Sequence, residues 1–280
     1  MIVHLPEFYV IGAKHRGITW LAQLLGANKN VALNKQLNMN YFANDMHFNK
    51  GIEHFYAEFS EAKIHNLKGE IAPDYLFHSN KVIPRLKALY NGDSDRLKFI
   101  VYLKSPVNRL LDEYLINQEH GLEPLGILDA LKREKNLLQN KSFLAGGNTL
   151  GLYKNNSLYY RQLKKWLEHY DLNQFFFITD IELSRNPKEV IKNLFRFLGI
   201  NHNGSAIANN HRSHLGNPFS GILHVNRNLR EFFPEIGRNK KPDINIPGSV
   251  YDQISKDVQK LSCLINNSLV EWEESIFSRV

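Results

Sequence analysis

Phe8-Tyr9-Val10-Ile11 is an apolar run of strand type that breaks at Gly12. Lys14, His15 and Arg16 follow, and after Gly17 the apolar residues Trp20, Leu21, Leu24 and Leu25 return at helical spacing. The stretch reads as a strand, a tight cationic turn and a helix N-terminus, and it constrains the chain more than any other. A turn of this kind offers an anion unpaired backbone N–H groups and the positive end of the helix dipole, with Lys14 and Arg16 as charged neighbours. Its plain alternative is an ordinary β–α turn with solvated Lys14, His15 and Arg16. The nucleotide triphosphatase loop G-x-x-x-x-G-K-[ST] is matched at Gly12, Gly17 and Thr19, but Ile18 stands where its lysine must reach the phosphates, which argues against a kinase or ATPase.

The later segments repeat the alternation of strand and helix. Val31-Ala32-Leu33 is a brief strand inside the irregular stretch 29–41, and 51–62 has Ile52, Phe55, Tyr56 and Phe59 on one helical face. Gly69 to Leu76 is a short strand stopped by Pro73. Glu70 lies near its end, where open α/β sheets bind ligands; read alone, Glu70 is a solvated or ion-paired carboxylate. Lys98–Lys104 is a buried strand, and Ser105-Pro106 opens a helix through Val107, Leu110, Leu111, Tyr114 and Leu115. Lys104 thus ends a strand beside a second helix N-terminus, another place to hold a phosphate. An amphipathic helix at 159–170, a strand at Phe175–Thr179 and a helix from Asn186-Pro187 to Gly199 complete the pattern. Such alternation predicts an α/β fold with a central parallel sheet flanked by helices, in a single domain over 1–280.

Beyond residue 200 the chain is dense in Asn, His, Ser and Gly, and His202, His211, His214 and His224 fit no common metal spacing. A short helix is expected at 227–233, a basic loop at 237–242, and a helix from Pro247 through Val250, Ile254, Val258, Leu261 and Leu264. Cys263, the only cysteine, rules out an intramolecular disulfide and reads as a buried thiol on that helix, suited to a reducing compartment. No run approaches the ~20 apolar residues a membrane span needs, and no signal peptide is visible. These features predict a cytoplasmic protein, in solution or at a membrane surface. The formal charge of +7 over 280 residues suits nucleic acid, an anionic nucleotide or an acidic glycan. With 11% aromatic residues and no segregated basic tail, a nucleic-acid arm is not expected.

In order and spacing, the loop at 12–20, Gly69 to Tyr75, Phe99 to Tyr114, Tyr159 to Leu167 and Asn186 to Gly199 resemble successive landmarks of the PAPS-dependent sulfotransferases, above all the glycan branch with its heparan sulfate N- and 3-O-sulfotransferases and bacterial relatives. PAPS is 3′-phosphoadenosine 5′-phosphosulfate. The resemblance implies a P-loop-like three-layer fold, PAPS as donor, PAP as product, and a glycan or other small hydroxyl or amine acceptor, with no metal and no nucleic acid. Lys14, His15, Arg16, Gly17, Ile18, Thr19 and Trp20 would wrap the 5′-phosphosulfate. Lys104 and Asp112 match the strand-to-helix motif for the 3′-phosphate, and Arg238, Lys240 and Lys241 match the loop that covers the nucleotide. Glu70, ahead of Pro73, would be the base on the acceptor, with His15 and Lys14 stabilising the leaving group.

Sulfuryl transfer needs a base on the acceptor side and cations or donors where charge builds on the leaving phosphate. Three positions differ from the family pattern: His15 replaces a lysine, Ile18 removes a hydroxyl, and Asp112 replaces a serine, a carboxylate expected to pair with Arg109 or to point away. The rival readings are a sulfotransferase fold that binds a nucleotide or glycan without PAPS chemistry or with another donor, and a nucleotide kinase.

Overall fold

Strand β1 (Phe8–Gly12) is buried along its whole length and lies at the centre of a five-stranded sheet. The computed structural model describes residues 5–63, 66–91, 93–147, 149–200 and 245–277. With β2 (Val31–Leu33), β3 (Leu67–Ile71), β4 (Lys98–Leu103) and β5 (Phe175–Thr179), the strand order is β2-β3-β1-β4-β5, and every pairing is parallel. Parallel strands must be joined by crossovers, so helices cover both faces and the strands are apolar throughout rather than alternating.

Because successive strand side chains point to opposite faces, the sheet separates two cores. Tyr9, Ile11, Phe99, Val101 and Leu103 belong to the larger core, with Tyr75, Trp166 and the C-terminal helices. Phe8, Val10, Ile71, Ile100, Tyr102 and Ile178 belong to the smaller one, under Ile18, Trp20, Leu21 and Leu25 of helix α1 (Gly17–Gly26). Ile18 and Trp20 are 5% and 4% exposed, so their side chains pack the core and only their backbone is available to a ligand.

Helices α2 (Asp45–Phe48), α3 (Ile52–Tyr56) and α4 (Ser79–Tyr90) connect the β2 and β3 side of the sheet to β4. The helix expected over 51–62 is shorter and ends in a 3-10 turn at Ala57–Phe59. After β4 come α5 (Pro106–Glu119), α6 (Ile127–Gln139), α7 (Lys141–Ala145) and α8 (Tyr159–Leu167), and after β5 come α9 (Asp180–Arg185) and α10 (Pro187–Leu198). Pro106 opens α5 and Gly199 closes α10 in the left-handed conformation, as their positions predict. Helix α6 was not foreseen. Its inner face carries Ile127, Ala130, Leu131 and the buried Glu134, whose carboxylate accepts bonds from the Lys154 and Asn155 backbone N–H groups, so apolar periodicity there is weak.

Helix α11 (Gly248–Ile265) packs on α8, and Asp257 accepts from the Tyr160 N–H at 2.9 Å in the first turn of α8. Helix α12 (Val270–Phe277) follows, tied back by the Trp272 indole donating to Asp180 at 2.9 Å. Cys263 is exposed, contrary to the buried thiol expected: Ile254, Val258, Leu261 and Ile265 form the inner face of α11, and Cys263 falls on the other. Among the described residues no helix is long and apolar enough to cross a membrane. The histidines 202, 211, 214 and 224, the expected helix at 227–233 and the basic loop with Arg238, Lys240 and Lys241 lie outside the described residues.

Candidate active site

The carboxyl ends of β3, β1 and β4 lie side by side, so the segments leaving them meet at one edge of the sheet. Two glycines make the approach close. A Cβ on Gly12 would stand 2.7 Å from the Leu76 Cβ and 3.2 Å from the Pro73 carbonyl, so the chain leaving β3 rests directly on the end of β1. A Cβ on Gly17 would meet the rings of Tyr102 and His15 at 2.5 and 2.6 Å. The turn is also tied to β4 by the Ala13 N–H, which donates to the Tyr102 carbonyl at 2.8 Å.

Within the turn, the Ile18 and Thr19 N–H groups bond back to His15 and Arg16 carbonyls, while no protein acceptor serves the Lys14, His15 or Arg16 N–H among the described residues. Those three donors precede α1, where an anion is favoured. Lys14 and Arg16 have exposed side chains, and Thr19 is exposed on the first turn of α1.

The ammonium of Lys14 is steadied on the β3 side. It lies 3.3 Å from Asp74 Oδ1 and 3.4 Å from Thr149 Oγ1, with 45% of the lysine side chain exposed against 5% of the aspartate. Asp74 also accepts from Asn40 Nδ2 at 2.8 Å and from the Thr149 hydroxyl at 2.7 Å. The result is an exposed cation on a buried, fully hydrogen-bonded carboxylate. His78, 6% exposed and joined to the same segment, has its Nε2 without a hydrogen-bond partner among the described residues. Burial lowers its pKa to about 4, with Lys81 and Lys14 acting in the same direction and Asp74 and the Gly147 backbone opposing.

His15 departs from the cationic role expected of it. Its Nδ1 accepts from the Gly17 N–H at 3.0 Å, so Nε2 carries the proton and donates to the Tyr102 carbonyl at 3.0 Å. Burial holds the ring at a pKa of about 3, and the neighbouring Lys104 and Arg109 charges also lower it against the Tyr102 bond and Asp112. A neutral ring with both nitrogens engaged shapes the turn and adds no positive charge.

Lys104, 6% exposed, forms an ion pair with Asp112. The expected partner, Arg109, instead bonds Glu113 at 2.9 Å and Ser157 Oγ at 3.2 Å. The carboxylate neither points away nor meets Arg109, and much of the lysine's charge is balanced before any phosphate arrives.

Glu70 is enclosed rather than presented at the edge. It is 0% exposed on the larger-core face of β3, opposite Tyr9. One oxygen accepts from the Tyr75 hydroxyl at 2.8 Å and the other has no partner among the described residues. Burial pushes its carboxyl up to about 8 despite the Tyr75 hydroxyl and the Tyr41 N–H, so at pH 7 it is mostly protonated. In this arrangement the carboxyl is neither charged nor open to solvent, unlike the exposed base expected of it.

The edge of the sheet therefore defines a class: an α/β protein whose turn after the first strand offers N–H donors and an exposed lysine supported by Asp74, an arrangement suited to an anion. The sulfotransferase domain family model matches residues 5–217, and the chain belongs to that family. It is 23% identical over 205 residues to heparan sulfate glucosamine 3-O-sulfotransferase 5 of Homo sapiens, covering 71% of this chain and 55% of that protein. It is 24% identical over 212 residues to bifunctional heparan sulfate N-deacetylase/N-sulfotransferase 1 of Caenorhabditis briggsae, covering 70% of this chain and 23% of that protein. The chain thus spans about half of the first relative's length and about a quarter of the second's. Among solved structures, a sulfotransferase from Alicyclobacillus acidocaldarius shares the fold with a TM-score of 0.69 at 18% identity, covering 97% of this chain and all of that one.

Proposed function

We propose that the protein transfers a sulfuryl group from PAPS to a hydroxyl or amine of a carbohydrate acceptor. The observation that carries this reading is the turn after β1: three N–H groups without an acceptor among the described residues and the exposed, Asp74-supported Lys14 at the edge where β3, β1 and β4 end. The N–H groups of Lys14, His15 and Arg16 bind the 5′-phosphosulfate, and the Lys14 ammonium faces the phosphate oxygen on which charge develops as the sulfur–oxygen bond breaks. His15 acts as a positioning residue that fixes the turn against Tyr102. Lys104 and the loop 238–241 take the 3′-phosphate end, with Asp112 competing for the Lys104 ammonium. The relatives' names supply the acceptor class: proteins that sulfate heparan glucosamine make a glycan the first acceptor to test.

The test is calorimetry with 3′,5′-adenosine bisphosphate, 5′-AMP and ATP. Preference for the bisphosphate is expected. Preference for ATP would move the protein to the nucleotide kinases, although the packed Ile18 leaves that loop without its lysine. The neutral His15 and the Lys104–Asp112 pair favour a second reading, a sulfotransferase fold that only binds its ligand, and silence toward all three nucleotides would select it.

A further inference from the structure

Helix α8 packs against α4 on one flank and α11 on the other, and the outer surface of the three carries six exposed cations: Lys87, Arg161, Lys164, Lys165, Lys256 and Lys260. Two exposed carboxylates, Glu168 and Asp252, lie among them. Side-chain contacts join the helices into one face. Lys165 donates to Asn80 Oδ1 of α4 at 2.9 Å, Lys87 Nζ lies 3.3 Å from His169 Nδ1 just past α8, and Lys260 Nζ lies 5.7 Å from the centre of the Tyr160 ring. With packed helix axes about 8–10 Å apart, the row of charge extends about 20 Å.

A merely solvated helix surface interleaves the two signs, as on α6, where Lys132 meets Asp129 at 3.0 Å, and on α10, where Lys192 meets Glu189 at 3.4 Å. On α4 itself Lys81 and Arg85 hold Asp45 at 2.9 and 2.7 Å. None of the six cations of the outer face has a carboxylate partner among the described residues. Arg161, Lys164 and Lys165 stand three and four positions apart along α8, as do Lys256 and Lys260 along α11. Like charges so placed face one another within a Debye length of about 8 Å, which is unfavourable until an anion covers them. The face also begins at the edge of the sheet that holds the candidate site. Asn80 is in the first turn of α4, on the chain that leaves Asp74, and the Tyr159 hydroxyl at the start of α8 donates to the Lys104 carbonyl at 2.9 Å.

We propose that this face is a second binding surface for an anionic polysaccharide, which holds a carboxylate- or sulfate-bearing acceptor chain while one of its sugars lies in the transfer site; the choice of a glycan rests on the sulfuryl-transfer reading above. Five of the six cations are lysines, point charges that suit a diffuse array of anions more than the bidentate geometry arginine gives to phosphates. No aromatic side chain described on the three helices is exposed to stack on a base, and no large exposed hydrophobic lies on them to enter a bilayer.

The experiment combines Arg161→Gln, Lys164→Gln and Lys260→Gln in the full chain. A control variant removes three exposed lysines elsewhere, Lys29→Gln, Lys132→Gln and Lys192→Gln, for the same change in net charge. The single replacements are measured beside each combination, so that one misfolded variant does not decide the outcome. Anisotropy of labelled heparan sulfate is followed over a range of salt concentrations, together with the Kd for 3′,5′-adenosine bisphosphate and the melting temperature. The face variant is expected to bind heparan sulfate about tenfold or more weakly, with a salt slope shallower by about one for each contacting cation removed, while its bisphosphate Kd stays within about twofold. The control variant should stay within about twofold on both. In transfer from labelled PAPS, the loss should appear in KM for the polymer and not for its disaccharide. The proposal is overturned if the parent protein does not bind heparan sulfate, if the folded face variant binds it as the parent does, or if the control loses as much. It is also overturned if duplex DNA or phosphatidylserine vesicles bind this face more tightly than heparan sulfate at the same salt. A parent protein that binds heparan sulfate but not the bisphosphate would sink the sulfuryl-transfer reading and leave the surface standing.

Discussion

Two carboxylates four residues apart, Glu70 and Asp74, stand on either side of Pro73 and have opposite surroundings. Glu70 belongs to β3, where the pleat turns it into an aromatic core with one hydroxyl partner and one empty oxygen. Asp74 lies beyond the proline, where the chain crosses the end of β1, and three side chains from separate segments converge on it: Lys14, Asn40 and Thr149. The same functional group is therefore a neutral core constituent in one place and the seat of the site's exposed cation in the other. Proximity in sequence to an expected site says little; which side of the strand's last residue a carboxylate occupies says much more.

This contrast can be broken most sharply at Lys14. Lys14→Met removes the charge facing the leaving phosphate and is expected to lower kcat about 10²- to 10³-fold in a PAPS transfer assay; a loss below tenfold would make the turn a binding element only. Asp74→Asn keeps the shape but not the charge under Lys14, and about a tenfold fall in kcat/KM is expected, against none if Asp74 is scaffold alone. Asp112→Ser should release the Lys104 ammonium and tighten bisphosphate binding several-fold by calorimetry, an effect of about 1 kcal/mol. Unchanged affinity would place the 3′-phosphate away from that pair.

The smallest effect on turnover is expected at Glu70, where Glu70→Gln should change kcat by less than about twofold while altering stability. The folded protein holds the Glu70 proton up to a pH of about 8, whereas the unfolded chain releases it near 4.5. Between those values the unfolded state binds fewer protons, so this residue makes stability fall as pH rises across the window. His15 and His78 act in the other sense: the unfolded chain binds their protons below about 6.5 and the folded protein only near 3 and 4, so stability falls as pH drops below 6.5. Denaturant titrations from pH 4 to pH 8.5 should show the alkaline limb flatten in Glu70→Gln and the acid limb persist. An unchanged alkaline limb would mean Glu70 is not held neutral.

Much of the scaffold was legible. The runs at 8–12, 98–103 and 175–179 could only be buried strands, because continuous apolar, β-branched and aromatic stretches of that length suit a sheet covered on both faces. Pro106 and Gly199 marked helix ends through backbone restrictions that operate locally. The site was legible only in part. Lys14 and its turn were visible because a strand, glycines and cations are contiguous there. Asp74 carried a usable signal, a carboxylate just past the strand-ending proline, which was passed over for Glu70. Asn40, His78 and Thr149 carried none, being single polar residues in segments whose closeness depends on how the loops pack.

Local stereochemistry, written residue by residue, was enough to determine a parallel α/β sheet with a glycine-rich cationic turn after its first strand, and the resemblance of successive motifs pointed to the family to which the chain belongs. Charge states and partners were decided only by folding: His15 neutral against Tyr102, Glu70 protonated among aromatic rings, Asp112 on Lys104, and Lys14 held outward by Asp74. The reason is that ionisation depends on desolvation and on charges a few ångströms away, and both are set by residues distant in the chain that only the tertiary fold brings together.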